Sequence, residues 1–201
     1  GLFRLRGDRF EMYGEGKISI EFITSIMQDF ENNMWIGTQG RGLHRLKKGK
    51  FAIYTTENGL SGNNLRTVFA DRKGAVWVGT VGSGVNKFYN GRFSTLTTAD
   101  GLSSNFIWSM LEDSRGNFWI GTGGAGLNKI SAGTVTEYTT KNGLSNNFIL
   151  SLLEDSKRNI WIGTNGGGLS KYSNNRFEHY STKNGLSNDF VVSLFEAPNG
   201  A

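Results

Sequence analysis

The chain has 201 residues, of which 29 are glycine, one is proline and none is cysteine, and it carries a formal net charge of +5. The absence of cysteine excludes disulfide bonds and thiolate metal sites. No run of 18 apolar residues is present, so the sequence predicts no membrane-spanning helix. β-Branched and aromatic residues occur in short bursts between glycines, which is typical of an all-β protein with many turns.

The predicted elements fall into units that repeat every 42 residues. Two columns keep this spacing, namely Trp35, Trp77, Trp119 and Trp161, and the glycines of four Gly-Leu pairs, Gly59, Gly101, Gly143 and Gly185. A period of about 40 to 45 residues with several short strands per unit is typical of a β-propeller blade. In chain order we predict a partial blade at 1–16, blades at about 17–58, 59–100, 101–142 and 143–184, and a partial blade at 185–201.

Each complete unit is predicted to hold four strands, named a to d in chain order. In the third unit these are 106–112, 118–122, 127–130 and 134–138. The first partial unit supplies only strands c and d, and the last supplies only strand a. The count is therefore five a, four b, five c and five d strands. This pattern indicates an incomplete ring, which is either a segment of a longer propeller or a five-bladed ring that lacks one strand.

The stretch GNFWIGTGGAGLNKI at 116–130 raises the question of a phosphate loop, because a glycine-rich turn after an apolar run can bind phosphate. A phosphate loop is followed by a helix whose N-terminal amides face the anion. Here a short strand follows, and similar stretches recur in every complete unit. We therefore predict that these glycines belong to the scaffold and that the repeated tryptophans pack between neighbouring blades.

Basic residues also recur with the blades. They form two columns, one of Arg4, Arg45, Lys87, Lys129 and Lys171, and one of Arg9, Lys50, Arg92 and Arg176. A site for nucleic acid needs basic residues that are clustered on one face. Because these residues are distributed around the predicted ring, we expect no nucleic-acid partner.

The sequence offers no candidate for catalysis, for a metal ion or for a cofactor. Four aspartates recur in the predicted a–b hairpins, where capping of their own turns accounts for them: Asp29, Asp71, Asp113 and Asp155. His44 and His179 lie on different strands of different blades and lack the spacing of a metal-ligand pair. We predict that His44 occupies a solvated strand position, in one column with Asn86, Asn128 and Ser170.

A ligand site would need blades that differ from one another. If strand a is innermost, the d–a and b–c connections share one end of the propeller, and the middle of strand a varies there: Thr24, Arg66, Trp108, Leu150 and Val192. The candidate ligand-binding residues at this end are Trp108, Arg66, Arg41, Asn63 and Asn105. Trp108 would supply an aromatic face, and the others would supply hydrogen bonds or charge to a sugar or an acid. Neutral drift of the repeat is the alternative explanation.

The segments GLSSNFIWSMLEDSRGNFWIGT (101–122) and GLSNNFILSLLEDSKRNIWIGT (143–164) resemble the two-component regulator propeller repeat. The matching features are the Gly-Leu connector, the serine of strand a, the aspartate of the a–b turn and the Trp-x-Gly-Thr run. The chain departs from the repeat at Ala197, where the aspartate is expected, and in the first connector. The resemblance implies the extracytoplasmic sensor region of a hybrid histidine kinase, which is often built as one or two seven-bladed propellers.

The resemblance also implies a function and a location. Such sensors often respond to carbohydrates, so we expect a ligand-sensing propeller segment in the periplasm or otherwise outside the cytoplasm, with a small-molecule or carbohydrate partner and no enzyme activity. Membrane attachment would come only through regions outside this chain. The alternative is a scaffold for protein–protein interaction, or a homodimer through the propeller, without a small-molecule ligand.

Overall fold

The structure, a computed structural model, describes residues 2–12 and 22–197. The first described element is an antiparallel hairpin of β1 (Phe3–Arg6) and β2 (Arg9–Met12). Four antiparallel sheets of four strands follow, and in each sheet the strands lie in chain order, so that each sheet is one blade. The first connector, at 13–21, lies outside the described residues.

The strands of the four blades correspond to the predicted strands a to d. Blade 1 consists of β3 (Ile23–Gln28), β4 (Met34–Thr38), β5 (Leu43–Lys47) and β6 (Lys50–Tyr54). Blade 2 consists of β7 (Leu65–Ala70), β8 (Val76–Thr80), β9 (Val85–Tyr89) and β10 (Arg92–Leu96). Blade 3 consists of β11 (Ile107–Glu112), β12 (Phe118–Thr122), β13 (Leu127–Ser131) and β14 (Thr134–Tyr138). Blade 4 consists of β15 (Ile149–Glu154), β16 (Ile160–Thr164), β17 (Leu169–Ser173) and β18 (Arg176–Tyr180).

The prediction of an all-β propeller with four-stranded blades in an incomplete ring is confirmed. The fifth strand a is the exception, because residues 191–197 form no strand. The described residues offer no strand b to pair with this run. It contacts blade 4 without forming a ladder, as in the hydrogen bonds from Val191 N to Thr164 O at 3.0 Å and from Ser156 Oγ to Glu196 at 2.7 Å. A strand needs a hydrogen-bonded neighbour, so an apolar pattern alone was not sufficient here.

The d–a connectors contain short helices that were not predicted from the sequence. Four single-turn 3-10 helices occur there: Thr56–Asn58, Thr98–Asp100, Thr140–Asn142 and Thr182–Asn184. Each turn begins with a capping box, as in Thr55, whose hydroxyl accepts from Glu57 N while Asn58 accepts from Thr55 N. A Thr/Ser residue followed three positions later by Asn or Asp was a visible signal for this turn.

Strand a is the innermost strand of each blade. The a strands of consecutive blades contact one another, β3 with β7, β7 with β11 and β11 with β15, as strands that converge on a central axis must. The d–a connectors and the b–c loops then share one end, because Gly40 N and Gly42 N of blade 1 each donate to Asn63 O of the next connector at 3.0 Å. We call this end the lower face, and the end with the a–b and c–d hairpins the upper face.

The hydrophobic core lies between blades. Trp119 is 1% exposed and packs with Leu127 of its own blade and with Ile149, Ile162 and Tyr172 of blade 4. Trp35 occupies the same place between blades 1 and 2. The predicted inter-blade packing is therefore confirmed for these two residues. Removal of so large an apolar surface from water supplies much of the cohesion between blades.

The other two repeated tryptophans are less completely covered. Trp77 is half-buried, and its ring centroid lies 4.4 Å from that of Phe118 in blade 3. Trp161 is also half-buried and packs on Tyr180 of its own blade at 5.6 Å. The four tryptophans share one role in the repeat, but they contribute different amounts of buried surface.

Each aspartate of the repeat caps its own a–b turn, as predicted. In blade 3, Asp113 Oδ1 accepts from Arg115 N at 3.0 Å and from Asn117 N at 2.8 Å, while Oδ2 accepts from Trp119 Nε1 at 2.8 Å. The bond to the tryptophan was not predicted. Burial tends to raise the pKa of Asp113, but the hydrogen bonds from Asn117 and Trp119 outweigh it and lower this pKa below its usual value.

The prediction of a solvated His44 is wrong. The side chain is 2% exposed, and burial lowers the pKa of its imidazole. In blades 2 to 4 its column faces the d–a connector that leads into the blade, as Asn86 shows by accepting from Ser61 N at 2.9 Å and donating to Ser61 Oγ at 2.7 Å. Burial of polar residues at this position serves to anchor the connector, which strand alternation alone could not reveal.

Candidate functional site

The second residue of each strand a lies in a β-bulge. The register between strands a and b shifts between the first and third residues of strand a in every blade, which leaves the second residue unpaired. These residues, which we call the bulge column, are Thr24, Arg66, Trp108 and Leu150. A bulge re-aims a side chain, and here it does so on the innermost strand at the lower face. Residues that build the scaffold, such as the tryptophan of strand b, are the same in every blade, whereas the residue of the bulge column differs from blade to blade.

Two of the predicted site residues contact one another across a blade boundary. Arg66 of blade 2 places its guanidinium carbon 3.9 Å from the ring centroid of Trp108 in blade 3. The other cation–aromatic contacts of the described residues span 5.0 to 5.8 Å. Stacking of a guanidinium on an indole is favourable because the ring face is electron-rich. Arg66 is exposed, whereas Trp108 is half-buried.

Trp108 is held by small and aromatic neighbours. Phe148 of blade 4 meets it in a T-shaped contact, with ring centroids 4.7 Å apart. Below the indole lies Gly123, where an added Cβ would come within 2.7 Å of Trp108 Nε1. Blade 3 therefore combines a large bulge residue with the glycine that leaves room for it.

Asn63 and Asn105 also lie at the lower face, where both have scaffold contacts. The Asn63 side chain accepts from Thr56 N at 3.0 Å, and the Asn105 side chain accepts from Thr98 N at 2.9 Å. Each bond ties the start of strand a to the 3-10 turn before it. A ligand role for these two residues stays a prediction, and one of their hydrogen-bonding atoms is already occupied by backbone.

Arg41 is exposed in the b–c loop of blade 1. The neighbouring Gly40 and Gly42 donate to the Asn63 carbonyl oxygen, so the loop is docked on the connector to blade 2. Direct side-chain contact among the five candidate residues is seen in the described part of the chain only between Arg66 and Trp108. The structure thus places all five candidates at one end and joins two of them.

A set of phenylalanines at the lower face was not predicted as part of the site. They occupy the position just before strand a: Phe22, Phe106, Phe148 and Phe190. Phe22, Phe106 and Phe190 are 63%, 51% and 59% exposed. Recurrence of an aromatic residue at the end of a polar connector was the signal that could have identified them, because exposed aromatic residues are frequent in binding surfaces.

The glycines of the b–c loops have structural roles. Gly126 has a φ of +88°, and an added Cβ would overlap the carbonyl oxygen of Tyr138. Its backbone N–H donates to Asn147 O at 2.8 Å and is therefore not free for an anion. This geometry supports the scaffold interpretation of the stretch at 116–130 over the phosphate loop.

Two clefts lie between blades at the upper face. One, of about 220 Å³, lies between blades 3 and 4 and is bordered by Trp119, Lys129 and Glu154. The other, of about 360 Å³, lies between blades 1 and 2 and is bordered by Trp35, Arg45 and Phe88. The two clefts occupy equivalent places in the repeat, so they follow from blade packing and do not distinguish one blade from another.

Within residues 2–12 and 22–197, no group of three or more His, Cys, Asp or Glu residues is arranged to hold a metal ion. No helix in this part of the chain is long and apolar enough to cross a membrane. The repeated aspartates are separated by blade and occupied by their own turns.

The fold and its variable lower face define a β-propeller of repeated four-stranded blades. Four segments of the sequence match the family model described as two component regulator propeller: 17–40, 59–82, 101–124 and 143–166. The chain is thus built from two-component regulator propeller repeats. Each matched segment runs through the connector, strands a and b and the beginning of the b–c loop, and so includes the aspartate, the tryptophan and the bulge residue.

Solved structures show the same fold. The chain is similar to the extracellular domain of a putative hybrid two-component system from B. thetaiotaomicron, with 22% identity and a TM-score of 0.66 over 79% of this chain and 25% of that one. It is also similar to PorZ, a surface component of the type-IX secretion system of Porphyromonas gingivalis, with 14% identity and a TM-score of 0.73 over 96% of this chain and 33% of PorZ.

An enzyme is also among the similar structures. Virginiamycin B lyase from Staphylococcus aureus shares 15% identity and a TM-score of 0.63 over 79% of this chain and 55% of the lyase. Solved structures with this fold thus include a domain of a putative two-component system, a component of a secretion system and a lyase, and function depends on the residues of each site. The chain spans about a quarter of the two-component domain named above. No curated protein matches the sequence.

Proposed function

We propose that this chain is the ligand-sensing propeller segment of a bacterial two-component sensor, that it lies outside the cytoplasm, and that it binds a small sugar-like ligand at the lower face. The bulge column carries the proposal. The blades agree at the positions that build the scaffold and differ at the unpaired second residue of strand a. A binding site needs such asymmetry, since identical blades would build only a symmetric surface.

The chemistry of the lower face suits a sugar. Phe106 is 51% exposed and lies two residues before Trp108 on the same chain segment. An aromatic ring can stack on the apolar face of a sugar while nearby polar groups bond its hydroxyls. The exposed side chains of Arg66 and Arg41 offer such donors.

The two-component role and the location rest on the repeat family and on the fold. The repeats match the two-component regulator propeller model, and one of the similar structures is described as an extracellular domain of a hybrid two-component system. A propeller is also a suitable sensor, because its rigid blades present loops in a fixed arrangement.

A thermal-shift screen of glycans and metabolites, followed by calorimetry, tests the proposal. A ligand that binds only the folded chain stabilises it by about 2.7 kcal/mol at a hundredfold excess over Kd. We expect Arg66→Ala to weaken binding and Arg72→Ala, which removes an exposed arginine at the upper face of the same blade, to leave it unchanged. Equal effects of the two substitutions would place the ligand elsewhere.

A scaffold for protein–protein contact is the second candidate, and the β1–β2 hairpin favours it. Four of its apolar residues are 53% to 75% exposed: Phe3, Leu5, Phe10 and Met12. An exposed apolar hairpin can recruit a second chain. Sedimentation velocity over a concentration series separates the two candidates, since association that Phe10→Ser abolishes would support the scaffold, whereas a monomer at every concentration would argue against a homodimer.

A further inference from the structure

We infer that the ligand of the lower face carries a carboxylate, which Arg66 binds while Trp108 positions the Arg66 side chain. This inference rests on the proposed ligand site and adds the chemical class of the ligand. Three features carry it: the unused hydrogen-bond donors of Arg66, the way in which Trp108 is covered, and the charge of the surrounding loops.

The hydrogen-bond donors of Arg66 have no acceptor among the described residues. A guanidinium has five N–H donors in a planar fork. Arg66 is exposed, and its one described interaction is the contact with Trp108 at 3.9 Å. Contact with a ring face leaves the N–H groups at the edge of the guanidinium free. The side chain is therefore held in place without loss of its donors, which is the arrangement that lowers the entropy cost of binding.

Trp108 supports Arg66 and is not an open platform for a sugar. The guanidinium lies against the ring, Phe148 contacts it in a T-shape at 4.7 Å, and Gly123 lies close to Nε1. This differs from the sequence-based expectation, in which Trp108 itself stacks on the ligand. The exposed aromatic face beside this pair belongs to Phe106, over which a sugar ring could lie.

The bulge column and the b–c loops of the lower face lack acidic residues. These b–c loops are 39–42, 81–84, 123–126 and 165–168. The acidic side chains of the lower face lie in the connectors, where Asp100 accepts from Thr97 N at 2.9 Å and Asp189 accepts from Thr182 N at 2.7 Å. Glu57 is exposed in the first 3-10 turn. Arg66 therefore has no carboxylate partner of its own in the described structure.

A carboxylate fits this arrangement better than a hydroxyl does. Two parallel N–H···O bonds from a guanidinium match the two oxygens of a carboxylate, and bonds between charged groups are roughly twice as strong as neutral ones. Lysine cannot reproduce this fork. The ligand class that follows is an acidic sugar, whose ring contacts Phe106 and whose carboxylate meets Arg66.

The test uses matched acidic and neutral probes, namely trigalacturonate and sialyllactose, each compared with its own methyl ester. Binding to the chain is measured by calorimetry in low salt. We expect an acidic probe to bind more tightly than its neutral partner, and Arg66→Ala to weaken the acidic probe about tenfold or more while leaving the neutral one unchanged. Arg66→Lys should retain only part of the acidic preference, and Arg72→Ala should retain all of it.

A positioning role for Trp108 is tested by two further variants. Trp108→Ala should lose the acidic preference as Arg66→Ala does, and Trp108→Phe should recover much of it, because a ring again supports the guanidinium. An unfolding midpoint within a few degrees of the wild type shows that each variant is folded. Retention of the full acidic preference in folded Trp108→Ala would overturn the positioning role.

The outcomes also separate this inference from the proposed function. If a neutral probe binds as tightly as its acidic partner and Arg66→Ala weakens both, the proposed ligand site at the lower face is supported, and the inference that the ligand carries a carboxylate is overturned. If an acidic probe binds but Arg66→Ala has no effect, the inference is overturned and the lower-face location with it. If none of the four probes binds, the inference is overturned while the wider glycan and metabolite screen still decides the proposed function.

Discussion

Trp119 donates a hydrogen bond of 2.8 Å from its indole nitrogen to Asp113, the residue that caps the a–b turn six positions earlier. The same bond links Asp29 with Trp35 at 2.7 Å and Asp155 with Trp161 at 2.8 Å. The repeat thus couples two structural tasks. One side chain closes a hairpin at the upper face, and it also orients the largest side chain between the blades.

Replacement of Trp119 by alanine should destabilise the chain by about 3 to 5 kcal/mol, the usual cost of removing a large aromatic residue from a core. Trp161→Ala is the matched control, because Trp161 has the same hydrogen bond but is only half-buried. We expect the control to cost clearly less. Urea denaturation with tryptophan fluorescence and circular dichroism measures both values, and equal losses would contradict the assignment of Trp119 to the inter-blade core.

The aspartates that cap the a–b turns should make the free energy of unfolding depend on pH. Burial tends to raise the pKa of Asp113, but its hydrogen bonds outweigh this effect, and Asp29 and Asp155 show the same balance, so all three pKa values are lowered. A carboxylate whose pKa is lower in the folded chain stabilises it above the unfolded pKa of about 3.9. This contribution disappears as the pH falls through the folded pKa.

We therefore expect the free energy of unfolding to fall below about pH 4. Asp113→Asn should lower stability at pH 7 and reduce the slope of this fall. Urea denaturation from pH 2.5 to 7 measures both effects. An unchanged slope in the variant would show that Asp113 does not contribute to the acid dependence.

A second contact joins the blades at the upper face. Glu154, at the end of β15 in blade 4, accepts from Ser114 N and Ser114 Oγ of blade 3, each at 2.6 Å. Arg72 N donates to Glu112 in the same way, at 2.8 Å. Glu154→Gln and Ser114→Ala should each cost about 1 kcal/mol. A double-mutant cycle should give a coupling energy of at least about 0.5 kcal/mol, and strict additivity would show that the contact carries no energy.

The blade architecture could be predicted from the sequence because the same pattern of residues occurs once in each 42-residue unit. Trp119 and Gly143 recur at fixed positions in patterns that strands and turns require, so the period and the turn chemistry agreed. His44 was misjudged for the opposite reason. A lone polar residue in a strand gives no sign of whether its face is buried. At the equivalent position of blade 2, Asn86 is covered by the connector that leads into the blade, and that covering depends on how the chain returns from strand d.

The sequence was sufficient to predict that the candidate residues lie at one end of the propeller, but not which of them contact one another. Arg66 and Trp108 were identified because they vary where the scaffold does not, and the structure joins them. The structure shows that Trp108 lies against Arg66 and that Phe106 remains exposed. Both features depend on the β-bulge and on the small size of Gly123. Such side-chain directions follow from three-dimensional packing across blades, which a repeat spacing does not encode.

Gly126 of the b–c loop and Gly133 of the c–d hairpin should differ in their tolerance of a side chain. Gly126 and Gly133 have similar φ values of +88° and +83°, but only at Gly126 would an added Cβ meet backbone, namely the carbonyl oxygen of Tyr138. Gly133→Ala should cost about 1 to 2 kcal/mol for its left-handed conformation. Gly126→Ala should cost more because the overlap adds to the same strain. Chemical denaturation of the two variants checks the order, and equal costs would remove the close approach as the reason for glycine at 126.

Gly123 offers a way to move Trp108 without changing it. The φ of Gly123 is not in the left-handed region, so alanine is compatible with its backbone, but the new Cβ would lie 2.7 Å from Trp108 Nε1 and 3.0 Å from Cδ1. The indole must shift, and Arg66 should lose its stacking position. We expect Gly123→Ala to change the near-ultraviolet circular dichroism while far-ultraviolet spectra stay the same.

The origin of that change can be assigned with two controls. In a Trp108→Phe background, Gly123→Ala should no longer alter the tryptophan signal. Asn165→Ala alters the same repeat position in blade 4, where Leu150 occupies the bulge column, and should leave the signal unchanged. Acidic probes that bind through Arg66 should lose affinity in Gly123→Ala and keep it in Asn165→Ala. If Gly123→Ala alters neither the spectrum nor the affinity, the indole is free to adjust, and Gly123 does not determine the position of Trp108.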